Sequence, residues 1–185
     1  ADSTGSITFE PAPDQYGQVT LTVYSEDGGL DGDLATVADN AQSTQKEIVV
    51  TVVPVNDPPE FNTINDLVIP AGSGTQTLTI ENIRAGGGES QPLRLTASSA
   101  NLQVVAEPAI TYSSAESTGT LALSPVGEVG DTTTITVTLE DGGLDGDLAT
   151  SLDNTTYEQT FVVAISPSLI IDISDLPLTE AWSKV

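Results

Sequence analysis

The sequence predicts an all-β protein built from sandwich-type repeats, and three observations lead to that prediction. Short segments rich in Val, Ile and Thr alternate apolar with polar residues, as half-buried strands do. Breaks rich in Gly, Pro, Asn and Asp separate these segments, and no window of ten or more residues carries a helical stripe. An eleven-residue stretch, EDGGLDGDLAT, also occurs twice, at residues 26–36 and 140–150.

Each predicted strand is short and most are bounded by turn residues. The segments QVTLTV and TQTLTI alternate Thr with apolar residues, so one face of each is expected to be buried. About seven strands in roughly 110 residues is typical of an immunoglobulin-like or cadherin-like β-sandwich. In chain order the predicted strands are 18–23, 48–53, 75–80, 93–96, 102–106, 119–123, 132–139 and 159–165.

The repeated stretch also indicates how the chain is organised. Pro11 and Gln45 fall opposite Pro125 and Gln159 at the same spacing as the two loops, whereas residues 58–118 have no earlier counterpart. We therefore expect a window from a longer tandem array. It comprises the second half of a sandwich in 1–55, a complete sandwich in 56–167, and a tail in 168–185 that is either the first strand of a following unit or a strand donated to a neighbour.

Composition excludes several classes of function. With 27 Asp and Glu against 4 Lys and Arg, the formal charge of -23 opposes binding to nucleic acid or to anionic lipid. The chain has no His, Cys or Met, so a Cys/His zinc site, a Ser-His-Asp triad and a disulfide are all excluded. No apolar run approaches the roughly 20 residues that span a bilayer. We expect no enzymatic activity and no membrane insertion.

The acidic residues are concentrated in the repeated loops. Ten of the 27 acids lie in two 15-residue segments, 26–40 and 140–154. Like charges packed this closely destabilise a fold unless a cation or solvent screens them. Calcium takes about 6 to 8 oxygen ligands in irregular geometry, so it is the cofactor that these loops predict. The spacing of the acids is not that of an EF-hand loop.

A family resemblance follows from the loop and the segment after it. A strand, an EDGG-type acidic loop and a strand ending in VPVNDPP (53–59) together resemble the cadherin-like and immunoglobulin-like tandem repeats of large bacterial surface adhesins. The resemblance implies a secreted or cell-surface location. It also implies that Asn56 and Asp57 ligate calcium in a linker between successive domains. The second unit departs from this pattern, because it ends AISPS (164–168) with no Asn-Asp-Pro.

Topology sharpens the calcium prediction. If the strands on either side of the loop are the last two of a sandwich, the loop lies beside the linker that enters the same unit. We therefore expect the second loop to face Asn56 and Asp57, with Asp14 of the preceding half-unit nearby. The full set of predicted metal ligands is Asp14, Asp27, Asp31, Asp33, Asp39, Asn56, Asp57, Asp141, Asp145, Asp147 and Asp153.

Simpler interpretations stay open for the same residues. The loops can be solvated acidic connections, the linker an ordinary Pro-stiffened spacer, and Asp14 an acid in a surface turn. Two functions are therefore compared. One is a calcium-stiffened spacer or fibre-forming module whose partners are neighbouring repeats of the same protein. The other is a calcium-independent module that recognises a protein or a glycan through its loops.

The incomplete first unit leads to a further expectation. A half-sandwich exposes an apolar face and unpaired strand edges, which something must cover. The apolar segment LIIDI at 169–173 is a candidate for self-association by strand addition to such an edge in another molecule. The alternative is that the chain is a fragment of a longer array, in which a preceding segment completes the unit.

Overall fold

The protein is all-β, with an immunoglobulin-like sandwich as its larger part. The computed structural model describes residues 4–36 and 38–168, and the chain divides into two compact units, Ala1–Val55 and Asn56–Val185. No helix in the described residues is long and apolar enough to cross a membrane.

The first unit contains one antiparallel pair of strands, β1 (Gly17–Val23) and β2 (Lys46–Val52). Residues rich in Val, Leu, Ile and Thr favour the extended conformation in both strands. The long connection between them carries the first copy of the acidic loop.

The second unit is a sandwich of two sheets. Its strands are β3 (Leu67–Pro70), β4 (Gln76–Glu81), β5 (Leu93–Ser99), β6 (Ala109–Thr111), β7 (Thr118–Leu123), β8 (Thr132–Asp141) and β9 (Thr156–Ser166). One sheet has the strand order β3-β9-β8-β5 and the other the order β4-β7-β6. All pairs are antiparallel except β3 with β9, which run parallel.

The core of the second unit follows from the period-2 alternation of its strands. Alternate residues of β8 point into the sandwich, and Ile135, Val137 and Leu139 are fully buried there. Leu121 and Leu123 on β7 meet them from the opposite sheet. Asp141 occupies the next inward position after these apolar residues, so a carboxylate lies at the end of the core.

One of the predicted strands is wrong, and two strands were not predicted. Residues 102–104 form a turn, because the Asn101 carbonyl oxygen accepts the amides of Val104 and Val105 and its side chain accepts the amide of Gln103. Val105 makes only an isolated bridge to Pro125. Both valines are buried, which a half-buried strand cannot achieve for consecutive residues. The missed strands, β3 and β6, have only four and three residues, too few to show a periodicity.

The match between the two copies also needs a correction beyond the loop. Val23 pairs with Lys46, whereas its counterpart Val137 pairs with Gln159. The spacing between the copies therefore shortens by one residue before β2, and Gln45 is not the structural counterpart of Gln159. The tail segment 169–173 lies outside the described residues, so its expected strand addition is not tested by the fold.

Candidate functional site at the linker and the acidic loop

The candidate site lies at one end of the second unit, where two segments distant in sequence meet. The second acidic loop (residues 140–155) connects β8 to β9, and the linker (residues 56–59) enters the unit ahead of β3. The sequence predicts this proximity from topology, and the contacts of Asn56 confirm it.

Asn56 joins the linker to the loop through its side-chain amide. Its Nδ2 atom donates to both carboxylate oxygens of Asp141, at 3.2 and 3.3 Å. The carbonyl oxygen of Asp153 at 3.0 Å and the hydroxyl oxygen of Thr155 at 3.1 Å also accept from this amide, whose two hydrogens are shared among the four acceptors. On its other side, Asn56 Oδ1 accepts a hydrogen bond from Gln91 at 2.6 Å. One side chain therefore holds three points of the loop together.

Asp141 is the buried centre of this arrangement, with none of its surface exposed. Its Oδ1 atom accepts the amides of Gly143 and Thr155 at 3.0 and 2.9 Å, and its Oδ2 atom accepts the Thr155 hydroxyl. With Asn56 added, the carboxylate receives donors on both oxygens, which fills its roughly four acceptor positions. A buried charge with this many donors is compensated without a cation.

The other acids of the loop shape its backbone. Asp145 Oδ1 accepts the amide of Asp147 at 2.9 Å, and Asp147 Oδ1 accepts the amide of Ala149 at 2.9 Å. Asp153 reaches across the loop, where its Oδ2 atom accepts the amide of Leu144 at 2.8 Å. These are turns closed by an Asp side chain, which is a common reason for Asp in loops. The Thr150 hydroxyl and the Asp147 amide lower the pKa of Asp145 below its ordinary value.

A glycine-rich segment supports the opposite side of the linker. Gly86 and Gly87 have positive φ angles of 90° and 46°, and an added Cβ would lie 2.2 Å from the Pro58 carbonyl oxygen or 2.1 Å from an Asp57 carboxylate oxygen. Only glycine permits that approach. The Asp57 amide donates to Glu89 at 3.2 Å. The linker is thus held by contacts with the folded unit from its first residue.

The first acidic loop (residues 26–41) repeats the same internal pattern. Asp27, Asp31, Asp33 and Asp39 accept the amides that correspond to those accepted by Asp141, Asp145, Asp147 and Asp153. The amides of Ala41 and Gly29 lower the pKa of Asp27. The copies differ in that Asp27 is exposed and that Ala41 stands where the second loop has Thr155. They also differ in that the Thr36 hydroxyl donates to Asp33, whereas the Thr150 hydroxyl donates to Asp145.

Asp14 lies in the first unit, in the turn before β1. It has a positive φ of 56°, a conformation in which Asp is enriched among non-glycine residues. The expected proximity of Asp14 to the second loop stays a prediction.

The predicted calcium ligands fit an ion only in part. Protein donors reach both oxygens of Asp141, and its role as a metal ligand stays a prediction. Across the described residues, no group of three or more acidic side chains is placed to hold a metal ion. Some acceptor capacity is nevertheless unfilled, because Asp153 Oδ1, Asn154 Oδ1 and Gln91 Oε1 are buried and receive no hydrogen bond. Asn40 Oδ1, the counterpart of Asn154, is in the same condition.

Sequence reasoning missed four residues of this site: Thr155, Asn154, Glu89 and Gln91. A signal existed for Asn154, because Asn40 repeats it in the first loop. Glu89 and Gln91 follow three consecutive glycines, which indicate a close backbone approach, but nothing local shows that the linker is what they approach.

Comparisons with known proteins add little to this geometry. No protein-family model and no curated protein matches the chain. Among solved structures, S-layer protein SbsC domains 4 and 5 match at 18% identity and a TM-score of 0.41, covering 66% of this chain and 52% of that one. Surface layer protein SbsC domains 4–9 match at 18% identity and 0.43, covering 69% and 17%. A nucleoside hydrolase-related hypothetical protein from Saccharophagus degradans matches at 18% and 0.37, covering 60% and 26%. The chain spans about half or less of the length of these structures.

Proposed function

We propose that this chain is a structural module of a tandem array at a cell surface or outside the cell, and that its acidic loop anchors the linker between units. The observation that carries the proposal is the set of hydrogen bonds from Asn56 to Asp141, Asp153 and Thr155. They connect the first residue of the unit to the loop that precedes its last strand. A linker anchored in this way transmits force to the sheet that contains β8 and β9.

The anchoring is mechanical rather than catalytic. Pro59 is fully buried, and Glu60 and Arg84 exchange backbone hydrogen bonds at 2.9 and 3.0 Å. The chain is therefore fixed over five consecutive residues before β3 begins. The partners that this arrangement suits are neighbouring repeats of the same protein, because each linker leads directly from one unit into the next.

The proposal is tested by measuring the order of the linker. We expect 15N relaxation of the Asn56 and Asp57 amides to match that of the β8 amides in the full chain. Asn56→Ala should increase linker motion and expose it to proteases. Asn62→Ala is the matched control, because Asn62 is exposed and its side chain makes no hydrogen bond in the structure. Linker motion that is the same in Asn56→Ala and in the unmodified chain would contradict the proposal.

We propose calcium binding as a second function, and the unfilled acceptor atoms support it. Asp153 Oδ1 and Asn154 Oδ1 are adjacent in sequence, lie beside the anchored linker and have no donor. A cation there would also offset part of the formal charge of -23. Asp153 and Asn154 would hold the ion, with Gln91 Oε1 as a further oxygen, and the ion would stiffen the linker end of the unit.

Calcium binding is tested by titrating calcium into EDTA-treated protein, paired with thermal melts and a magnesium control. We expect a saturable calcium signal and a higher Tm that magnesium does not reproduce. Asp153→Asn should abolish both effects. Glu107→Gln removes the same charge from an exposed position remote in sequence and should not. If the two variants behave alike, or if the two metals do, the effect of calcium is general charge screening and not binding at this site. That outcome would leave the proposed anchoring role of the loop unaffected.

A further inference from the structure

The hairpin of the first unit carries an exposed apolar face whose counterpart in the second unit is buried. Val19, Leu21 and Val23 on β1 pair with Val50, Ile48 and Lys46 on β2, which brings the apolar members to one face. Val19 and Ile48 are 53% and 46% exposed. The corresponding face of β8 and β9 holds Ile135, Phe161 and Val163, which are at most 2% exposed. The same face is therefore buried in the complete unit and exposed in the first unit.

The outer edge of β2 has no paired strand in the part of the chain that the structure describes. In the second unit β9 pairs with β8 on one side and with β3 on the other, and β3 runs parallel to it. Leu67 and Ile69 of β3 lie opposite Val163 and Ile165. Ahead of β3, Asp66 accepts the amide of Val162 at 2.7 Å. Within the described residues, β2 pairs with β1 alone.

A segment of this chain has the sequence needed at that edge. Residues 173–179, ISDLPLT, match residues 64–70, INDLVIP, at the Ile, Asp and Leu positions, and both place an apolar residue two positions after that Leu. The position where the tail has Pro177 is Val68 in β3, which is 70% exposed. A Pro is tolerated best on an edge strand, which this strand would become.

We propose that residues 173–179 of one copy add to β2 of a second copy as a parallel edge strand. Leu176 then lies opposite Val50, Leu178 lies opposite Val52, and Asp175 accepts the amide of Val49. Main-chain hydrogen bonds along the edge supply affinity, and the two leucines extend the apolar face. The contact is head-to-tail, so it leaves one open β2 edge and one unused tail at the two ends and allows chains to grow.

Charge determines the conditions under which this association is strong. Two copies with a formal charge of -23 each repel one another at low salt. At about 0.15 M salt the screening length is about 8 Å, so the repulsion weakens while the apolar contact does not. The association should therefore strengthen as salt is raised.

The experiment is sedimentation velocity of the full chain over a range of concentrations at low and at high salt. We expect the weight-average mass to rise with concentration, and more so at high salt. Leu178→Asp should weaken association by about tenfold or more, because it places a charge on the apolar face. Thr179→Asp adds the same charge on the opposite face and should be close to the unmodified chain. A monomer at all concentrations and salts, or equal effects of the two variants, would overturn the proposal.

A cross-linking experiment tests the register independently of stability. The chain has no Cys, so Val53→Cys combined with Thr179→Cys introduces the only thiols, and these residues would face each other as Ser166 and Pro70 do. Oxidation should give a ladder of disulfide-linked oligomers. Thr179→Cys combined with Glu47→Cys places the thiols out of register and should not. Cross-linking of equal yield in both pairs would contradict the proposed register, and so would its absence from both.

Discussion

Removing the Asn56 side chain is the most direct perturbation of the anchored linker. In Asn56→Ala, the Asp141 carboxylate loses one of its donors, and the Asp153 carbonyl and the Thr155 hydroxyl lose the same amide. Asp141 keeps three donors, two from Thr155 and one from Gly143. The change therefore weakens a satisfied network rather than leaving a buried charge alone.

The magnitude follows from those contacts. A hydrogen bond to a charged group contributes about 1.5–3 kcal/mol and a neutral one about 1 kcal/mol. Loss of the Asp141 bond and of the shared neutral contacts should lower the free energy of unfolding of the second unit by about 3 kcal/mol. For a domain of this size the loss corresponds to a fall in Tm of about 12 °C. The control Asn62→Ala should change the free energy by less than about 0.5 kcal/mol.

The assay must report the second unit alone, since a chain of two units need not unfold in one step. We would follow urea unfolding through the amide NMR signals of Val137, Leu139 and Val163, which are fully buried in that unit. A loss in Asn56→Ala no larger than that in Asn62→Ala would refute the reasoning, because it would mean that the hydrogen bonds of Asn56 contribute nothing beyond those the side chain makes to water.

Three further predictions concern the same end of the molecule. Asp141→Asn, which turns an amide toward donors that the carboxylate accepts, should destabilise the second unit by about 3 kcal/mol or more in the same urea assay; a loss below 1 kcal/mol would show that the buried charge is not needed. Gly86→Ala should be far more destabilising than Gly88→Ala, because both have positive φ but only the Cβ at Gly86 meets the Pro58 carbonyl. Equal falls in Tm would mean that backbone strain alone, and not the contact with Pro58, destabilises both variants. Thr150→Val should raise the pKa of Asp145 toward its ordinary 3.8, because the hydroxyl is the largest cause of the lowered pKa, while the pKa of Asp27 should stay as it is. Since the pKa of Asp145 is lowered on folding, its contribution to stability is present above pH about 4 and is lost as the pH falls through the folded value. A 13C carboxyl titration checks both residues, and an unchanged Asp145 would contradict the assigned cause.

The acidic loops have a structural explanation that does not require an ion at each carboxylate. In both copies four Asp side chains accept amides at the same positions of the loop, which fixes the loop conformation. Repetition of the sequence is therefore repetition of a backbone shape. Any calcium bound here would use the oxygens that this shape leaves without donors.

Much of the architecture was determined by the sequence itself. The alternation of Thr with Val, Ile and Leu predicts six of the nine strands and part of a seventh, because a strand buried on one face must have period 2. The repeat predicts a boundary at residues 55 and 56, because the residues that follow have no earlier counterpart in the chain. The sequence also predicts that the linker and the loop meet. If the loop joins the last two strands of the sandwich, it lies at the end of the unit where the linker enters.

Tertiary structure decided the chemistry at that meeting point. The sequence predicts Asp141 as a metal ligand because acids close in sequence repel, but it cannot show that β8 directs this one residue into the core. It also cannot show that Asn56, Gly143 and Thr155 surround the carboxylate, since these donors come from residues up to 99 positions apart. The sequence alone shows where a carboxylate lies in the chain. The hydrogen-bond donors that stabilise its charge are distant in sequence, so only the fold determines which of them reach it.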